Sequence, residues 1–215
     1  MNQETVKRII SSIILLPMAI FFIIKGSFFF NFFILLCFLI VSYEWHMMSK
    51  KRSYYIFGFI FIFFSFYSIY HLRNDFVDGY IYFLIITLTC VLTDIGGYTF
   101  GKFFKGPKLT KVSPKKTYSG MIGGYLLPII FLNIFYYSPY VITKSMKLTS
   151  DIFIFILLVS TISQLGDILI SYFKRLSKIK DTGKIIPGHG GLLDRVDGMI
   201  FAFPFSYLIL NTNIF

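Results

Sequence analysis

Seven apolar runs follow one another along this chain, at about 8–24, 28–48, 54–71, 79–95, 119–137, 151–170 and 198–214. Each approaches the roughly 20 predominantly apolar residues that a helix needs to cross a bilayer. The expected fold class is therefore all-α: a polytopic membrane protein of about seven transmembrane helices. Lys7 and Arg8 precede the first run, as in a secretory signal. No small-residue cleavage site follows, and further runs come directly after, so a retained helix is expected. Pro17, Pro128 and Pro204 fall inside runs, where neighbouring helices can accommodate a kink. Phe, Ile, Tyr and Lys are used throughout, a codon-bias pattern, and clusters such as Phe28, Phe29 and Phe30 read as lipid-facing filler.

The polar residues between the runs give the orientation. All but four of the 21 Lys and Arg residues fall on the side that holds the N-terminus; the exceptions are Lys25, Arg73, Lys144 and Lys147. The positive-inside rule then predicts N-in, C-out. The formal net charge of +11 would suggest nucleic acid in a soluble protein, but these cations are interleaved with apolar runs. Anionic lipid and nucleotide phosphates explain them better, and no nucleic acid partner is expected. Cys37 and Cys90 each sit in an apolar run and are expected to be inert, packed thiols. The acids sort as well: Asp75, Asp78 and Asp151 lie outside, whereas Asp94, Asp167, Asp181, Asp194 and Asp197 lie at or near the inner face. Two long inner loops, 96–118 and 171–197, follow the fourth and sixth runs. Their meeting point is the expected site, at the cytoplasmic face. The chain divides into an N-terminal three-span hydrophobic region, 1–75, and a catalytic membrane domain, 76–215.

Ionisable groups at membrane depth are costly and mark function by default. Carboxylates suit a hard divalent cation, and Lys and Arg suit phosphates, so the mixture points to a phosphorylated substrate handled with Mg2+. In the first loop, SPKKT sets a Pro-fixed turn beside paired lysines and two hydroxyls, just before the fifth run. Ser113, Lys115, Lys116 and Thr117 would make a triphosphate cradle; the plainer alternative is a basic loop. Asp194 and Asp197 stand three apart and share a helical face. With Asp167 in QLGD they would form a carboxylate cluster for one or two Mg2+, and Asp94 is a further candidate ligand. The competing reading makes these acids structural ion pairs with Arg195 and nearby lysines. Lys174 and Arg175 are either phosphate contacts or flanking positive-inside charge, and His189 is an acid/base group, a phosphate donor or a local loop residue. Glu44, beside Tyr43 and Trp45, reads as an interfacial side chain that snorkels to water.

The segment Ser171–Arg175, Lys180–Asp181, Gly183, Pro187, His189–Gly191 and Asp194–Asp197 resembles the signature of the phosphatidate cytidylyltransferases (CDP-diacylglycerol synthases). QLGD around Asp167, DIGGY from Asp94 and SPKKT at 113–117 resemble other recurring segments of that family. The resemblance covers about 94–200; the three N-terminal runs share only their hydrophobicity, and the chain is short for the family. It implies that CTP and phosphatidate react to CDP-diacylglycerol and pyrophosphate in the inner membrane, with Mg2+, alone or with a second cation. It also implies catalytic roles for Asp167, Lys174, Arg175, Asp194 and Asp197, and adds Lys180, His189 and Arg195 to the substrate-binding residues. Chemistry agrees: an anionic phosphate needs no strong base to attack a phosphoanhydride, only positioning and charge neutralisation.

Other readings remain open. A CTP-dependent polyprenol or phytol-type lipid kinase would cut the other phosphoanhydride and release CDP. A CDP-alcohol phosphotransferase is disfavoured because its Asp-Gly…Ala-Arg…Asp…Asp spacing is absent. A transporter of phosphorylated solutes would place charges near the midplane, often within internal repeats; here they are interfacial and one-sided. The oligomeric state, including a homodimer, is left open.

Overall fold

A computed structural model of the chain describes residues 13, 17–77, 79–110, 113, 115–136, 150–188 and 190–212. Helical residues at 17–25 are the described part of α1. After them come α2 (Ser27–Ser49), α3 (Tyr55–Asn74), α4 (Gly79–Phe104), α5 (Tyr118–Tyr136), α6 (Ser150–Leu176), the one-turn α7 (Leu193–Val196) and α8 (Met199–Asn211). Among the described residues there are only isolated β-bridges, at Lys108–Thr117 and Ile186–Gly190. The all-α expectation therefore holds.

Among the described residues four helices are long and apolar enough to cross a membrane: α2, α3, α4 and the 152–176 part of α6. Two apolar helices are shorter, Tyr118–Leu132 within α5 and α8. At 1.5 Å per residue the 13 residues of α8 reach only about 20 Å, short of a hydrocarbon core of about 30 Å. About half of the first expected span, Arg8 included, lies outside the described residues, as does Lys7 before it.

Two helix ends correct the sequence reading. The fourth span was expected to stop at 95, with DIGGY opening a loop, yet α4 runs on to Phe104. The first inner loop is accordingly only 105–117. Likewise α6 continues to Leu176, so Lys174 and Arg175 belong to its last turn and the second loop starts at 177.

The glycines explain the longer α4. Gly97 and Gly101 of α4, four apart, both face Gly120 of α5, and Gly96 faces Gly123. A Cβ on Gly120 would lie 2.6 Å from the Gly97 carbonyl oxygen, and one on Gly96 would overlap the Gly123 carbonyl oxygen. Small residues four apart let helix backbones touch in an apolar medium, where van der Waals contact replaces the hydrophobic drive. What looks in sequence like a flexible Gly-rich turn is thus a packing surface. Gly123→Ala, whose Cβ would overlap Phe100, should cost about 1–3 kcal/mol by overpacking. Its thermal midpoint in detergent should fall measurably; an unchanged midpoint would show that the seam yields freely.

The remaining helices build around α4 and α8. The second helix packs on α3, α3 on α4 and α8, and α6 on α4, α5 and α8. Phe30 meets Phe83 edge-on at 5.3 Å, and Phe83 meets Phe203 at 5.0 Å, so α2, α4 and α8 share one aromatic core. Large apolar side chains such as Phe28, Phe57 and Phe63 stay exposed, as expected where lipid is the solvent. A polar stripe runs down α6: Ser160, the adjacent Ser163 and Gln164, Asp167, Ser171 and Lys174, one helical turn after another. It faces inward. Ser160 and Ser163 are buried, and Thr93 of α4 donates to the Ser160 hydroxyl at 3.0 Å. This stripe leads from the apolar core to the charged end of the bundle.

Candidate active site

At that end, α4, α5, α6 and the first loop enclose a cavity of about 280 Å³. Thr93, Asp94 and Gly97 come from α4, and Gln164 and Asp167 from α6. Ser113, Lys115, Lys116 and Thr117 come from the SPKKT turn. Residues 105–117, short and basic, are held by backbone hydrogen bonds: Leu109 N–H donates to Lys116 O at 2.8 Å, Lys116 N–H to Ser113 O at 3.0 Å, and Tyr118 N–H to Pro107 O at 3.2 Å. Thr117 caps α5, its hydroxyl accepting from Gly120 N–H at 3.1 Å. Lys115 is exposed, while the Lys116 ammonium pairs with Asp167 across the cavity. The first-loop candidates and two of the inner acids thus share one site.

Asp197 lies beside it, buried on the turn between α7 and α8, with Oδ1 accepting from Gly198 N–H at 2.9 Å. Burial first, then the charges of Asp167 and Asp94, push its carboxyl well above the usual carboxylate range. Lys116 and Arg195 act on Asp94, and Lys174 on Asp197. Three acids and three cations therefore interact where the loops meet. Among the described residues no three His, Cys, Asp or Glu side chains are placed to hold a metal ion by themselves.

Asp194 faces different partners. Its Oδ1 accepts from the Lys174 ammonium at 2.8 Å. Its Oδ2 accepts from the N–H groups of Thr182, at 2.8 Å, and Gly191, at 3.2 Å. Asp194 and Asp197 follow one another around a single turn, but their partners differ. Arg175 is exposed and donates to the Ile179 carbonyl at 3.3 Å, and Lys180 and Arg195 are exposed. His189 lies outside the described residues. Cys37 and Cys90 are free thiols, half-buried and buried respectively.

Two residues were missed or misread. Gln164 lines the cavity, and its buried Nε2 has no hydrogen-bond partner among the described residues. Its place three before Asp167 on the polar stripe was the available signal. Glu44 does not snorkel: it is 1% exposed and takes hydrogen bonds from the second loop. A single acid in an apolar run gave no hint of its partners, more than 130 residues away.

Residues 51–213 match the cytidylyltransferase family. The phosphatidate cytidylyltransferase of Rickettsia bellii is 34% identical over 209 residues, spanning 94% of this chain and 89% of that protein. That of Rickettsia typhi is 35% identical over 210 residues, spanning 94% and 90%. That of Staphylococcus haemolyticus is 39% identical over 137 residues, spanning 62% of this chain and 50% of that protein.

Proposed function

Because the chain belongs to the cytidylyltransferase family, we propose that it transfers a cytidylyl group from CTP to phosphatidate, giving CDP-diacylglycerol and pyrophosphate for phospholipid synthesis. The observation that carries this reading is the cavity shared by the SPKKT lysines, Asp94 and Asp167 at the polar end of an apolar bundle. A water-soluble polyanion and a lipid phosphate can meet only at such a boundary. The protein is a multi-pass membrane protein. In our reading it has seven spans, N-in and C-out, in the bacterial inner membrane, with the cavity open to the cytosol.

A phosphate oxygen of phosphatidate attacks the α-phosphorus of CTP. The new P–O bond forms as the bond to the α,β-bridging oxygen breaks, and pyrophosphate leaves with the electron pair. Repulsion between two polyanions is the main obstacle, so electrostatic positioning carries most of the work. Lys115 and Lys116 take the triphosphate, and Ser113 and Thr117 orient it at the start of α5. Lys174 and Arg175, in the last turn of α6, take the lipid phosphate. Lys180, His189 and Arg195 supply further substrate contacts.

Mg2+ is commonly held by one or two carboxylates together with substrate phosphates rather than by a full protein cage. The residues here fit that use: Asp94 and Asp167 line the cavity, and Asp197 is near enough for their charges to act on it. Asp194 would join through a further lone pair of Oδ1 while keeping its hold on Lys174. When bound, the ion neutralises phosphate charge and polarises the α-phosphoryl group.

Purified protein in detergent, given CTP labelled at the α-phosphate, phosphatidate and Mg2+, should pass label into CDP-diacylglycerol and release pyrophosphate. EDTA should abolish turnover. Label recovered as CDP, with phosphate gained by a lipid alcohol, would replace this reading with a lipid kinase.

A further inference from the structure

The N-terminal region contributes one carboxylate to the polar end, and its partners are all in the signature loop. Glu44 Oε1 accepts from Leu192 N–H at 2.9 Å. Its Oε2 accepts from Leu193 N–H at 2.8 Å and from the Thr182 hydroxyl at 3.0 Å. Among the described residues Glu44 makes no ion pair. A carboxylate this buried is costly unless its oxygens are satisfied, and here three loop donors satisfy them. The loop closes around it tightly: a Cβ on Gly183 would lie 2.6 Å from Oε1, and one on Gly191 2.6 Å from Oε2. Any side chain at either position would drive the carboxylate out.

The same loop residues also reach Asp194. Thr182 gives its N–H to Asp194 and its hydroxyl to Glu44, while the successive N–H groups of Gly191, Leu192 and Leu193 go to Asp194, Glu44 and Glu44. Asp194 in turn holds the Lys174 ammonium through its other oxygen. Two carboxylates therefore share one strip of loop backbone, and one of them carries the cation assigned to the lipid phosphate. Aromatic packing supports the dock, with Tyr54 4.8 Å and Trp45 5.6 Å from the Phe173 ring. Lys116, Asp167 and the cavity lie on α4, α5, α6 and the first loop, with no bond to Glu44 among the described residues.

We propose that Glu44, which lies upstream of the family-matched residues, is a positioning residue: it shapes the 177–193 loop so that Asp194 sets Lys174 for the lipid phosphate. This rests on the cytidylyltransferase reading and adds a selective consequence, since loosening the loop should impair phosphatidate use and spare CTP. The negative charge is what matters, because all three partners are donors and a glutamine amide would turn N–H groups against N–H groups.

The test compares Glu44→Gln and Glu44→Asp in the full-length protein. In Glu44→Gln, amide exchange at Leu192 and Leu193 should accelerate about tenfold or more, and kcat/KM for phosphatidate should fall about tenfold or more, as when a charged hydrogen-bond acceptor is lost. CTP affinity, titrated directly, should stay within about twofold of the parent. Glu44→Asp, which keeps the charge, should recover part of the loss. Unchanged amide exchange, equal losses toward both substrates, or a Gln variant better than the Asp variant would overturn the proposal. Should Glu44→Gln not fold, Thr182→Val removes one of the three bonds. It should lower kcat/KM for phosphatidate about threefold or more at constant CTP affinity, and an unaffected Thr182→Val would overturn the proposal equally. Absence of cytidylyl transfer in the parent protein would sink the functional reading alone, and the exchange measurement would still decide whether Glu44 holds the loop.

Discussion

Asp167→Asn should lower kcat by about 10²- to 10³-fold or more, in the range of losing one preorganised electrostatic group from an active site, while the protein still inserts and purifies. Asp167 is where the two halves of the site meet. It pairs with Lys116 from the first loop and acts electrostatically on both Asp94 and Asp197. Removing its charge weakens any divalent cation held between carboxylates and phosphates, so the surviving activity should also need more Mg2+. Asp197→Asn should behave in the same way. Asp194→Asn should lose activity too, but with loosening of the 182–191 backbone that its Oδ2 holds. Full activity and unchanged Mg2+ dependence in Asp167→Asn would remove Asp167 from the chemistry. Loss of folded protein in step with activity would make it a structural partner of Lys116.

The second large effect separates the substrates. Lys116→Ala should raise KM for CTP about tenfold or more, the usual scale for a charge-assisted hydrogen bond, with a smaller change for phosphatidate. Arg175→Ala should show the opposite bias, because it stands in the last turn of α6 and does not line the cavity. KM is a proxy for affinity, so nucleotide binding should be titrated beside the kinetics. Weakened phosphatidate binding with unchanged CTP affinity in Lys116→Ala would mean that the two loops have exchanged roles.

Much of this was legible from residue order because apolar length and charge placement are local properties. Runs such as 28–48 and 54–71 became α2 and α3 almost residue for residue, and SPKKT fell on the cavity shared with Asp94 and Asp167. Helix ends were less legible. Gly96, Gly97 and Gly101 favour a turn when read alone, and only the glycines of α5 make them a helical contact. Glu44 was illegible for a related reason: its meaning lies in amides distant in sequence, and backbone donors leave no trace in side-chain identity. Asp194 shows the limit for ligands, since a three-residue spacing gives a shared face and says nothing about which partner each oxygen finds.

The glycine seam between α4 and α5 has a consequence for how the pocket can evolve. Where backbone touches backbone, no rotamer is left to absorb a change, so the width of the cleft beside Asp94 is set by main-chain atoms. Side chains facing the pocket, Gln164 and Tyr98 among them, can vary without altering that gauge. The lining of the wall can therefore drift while the distance between the SPKKT turn and Asp94 of α4 is inherited almost unchanged. A substrate that needs a wider cleft cannot be accommodated by trimming the wall; the two helices would have to part along their whole shared length.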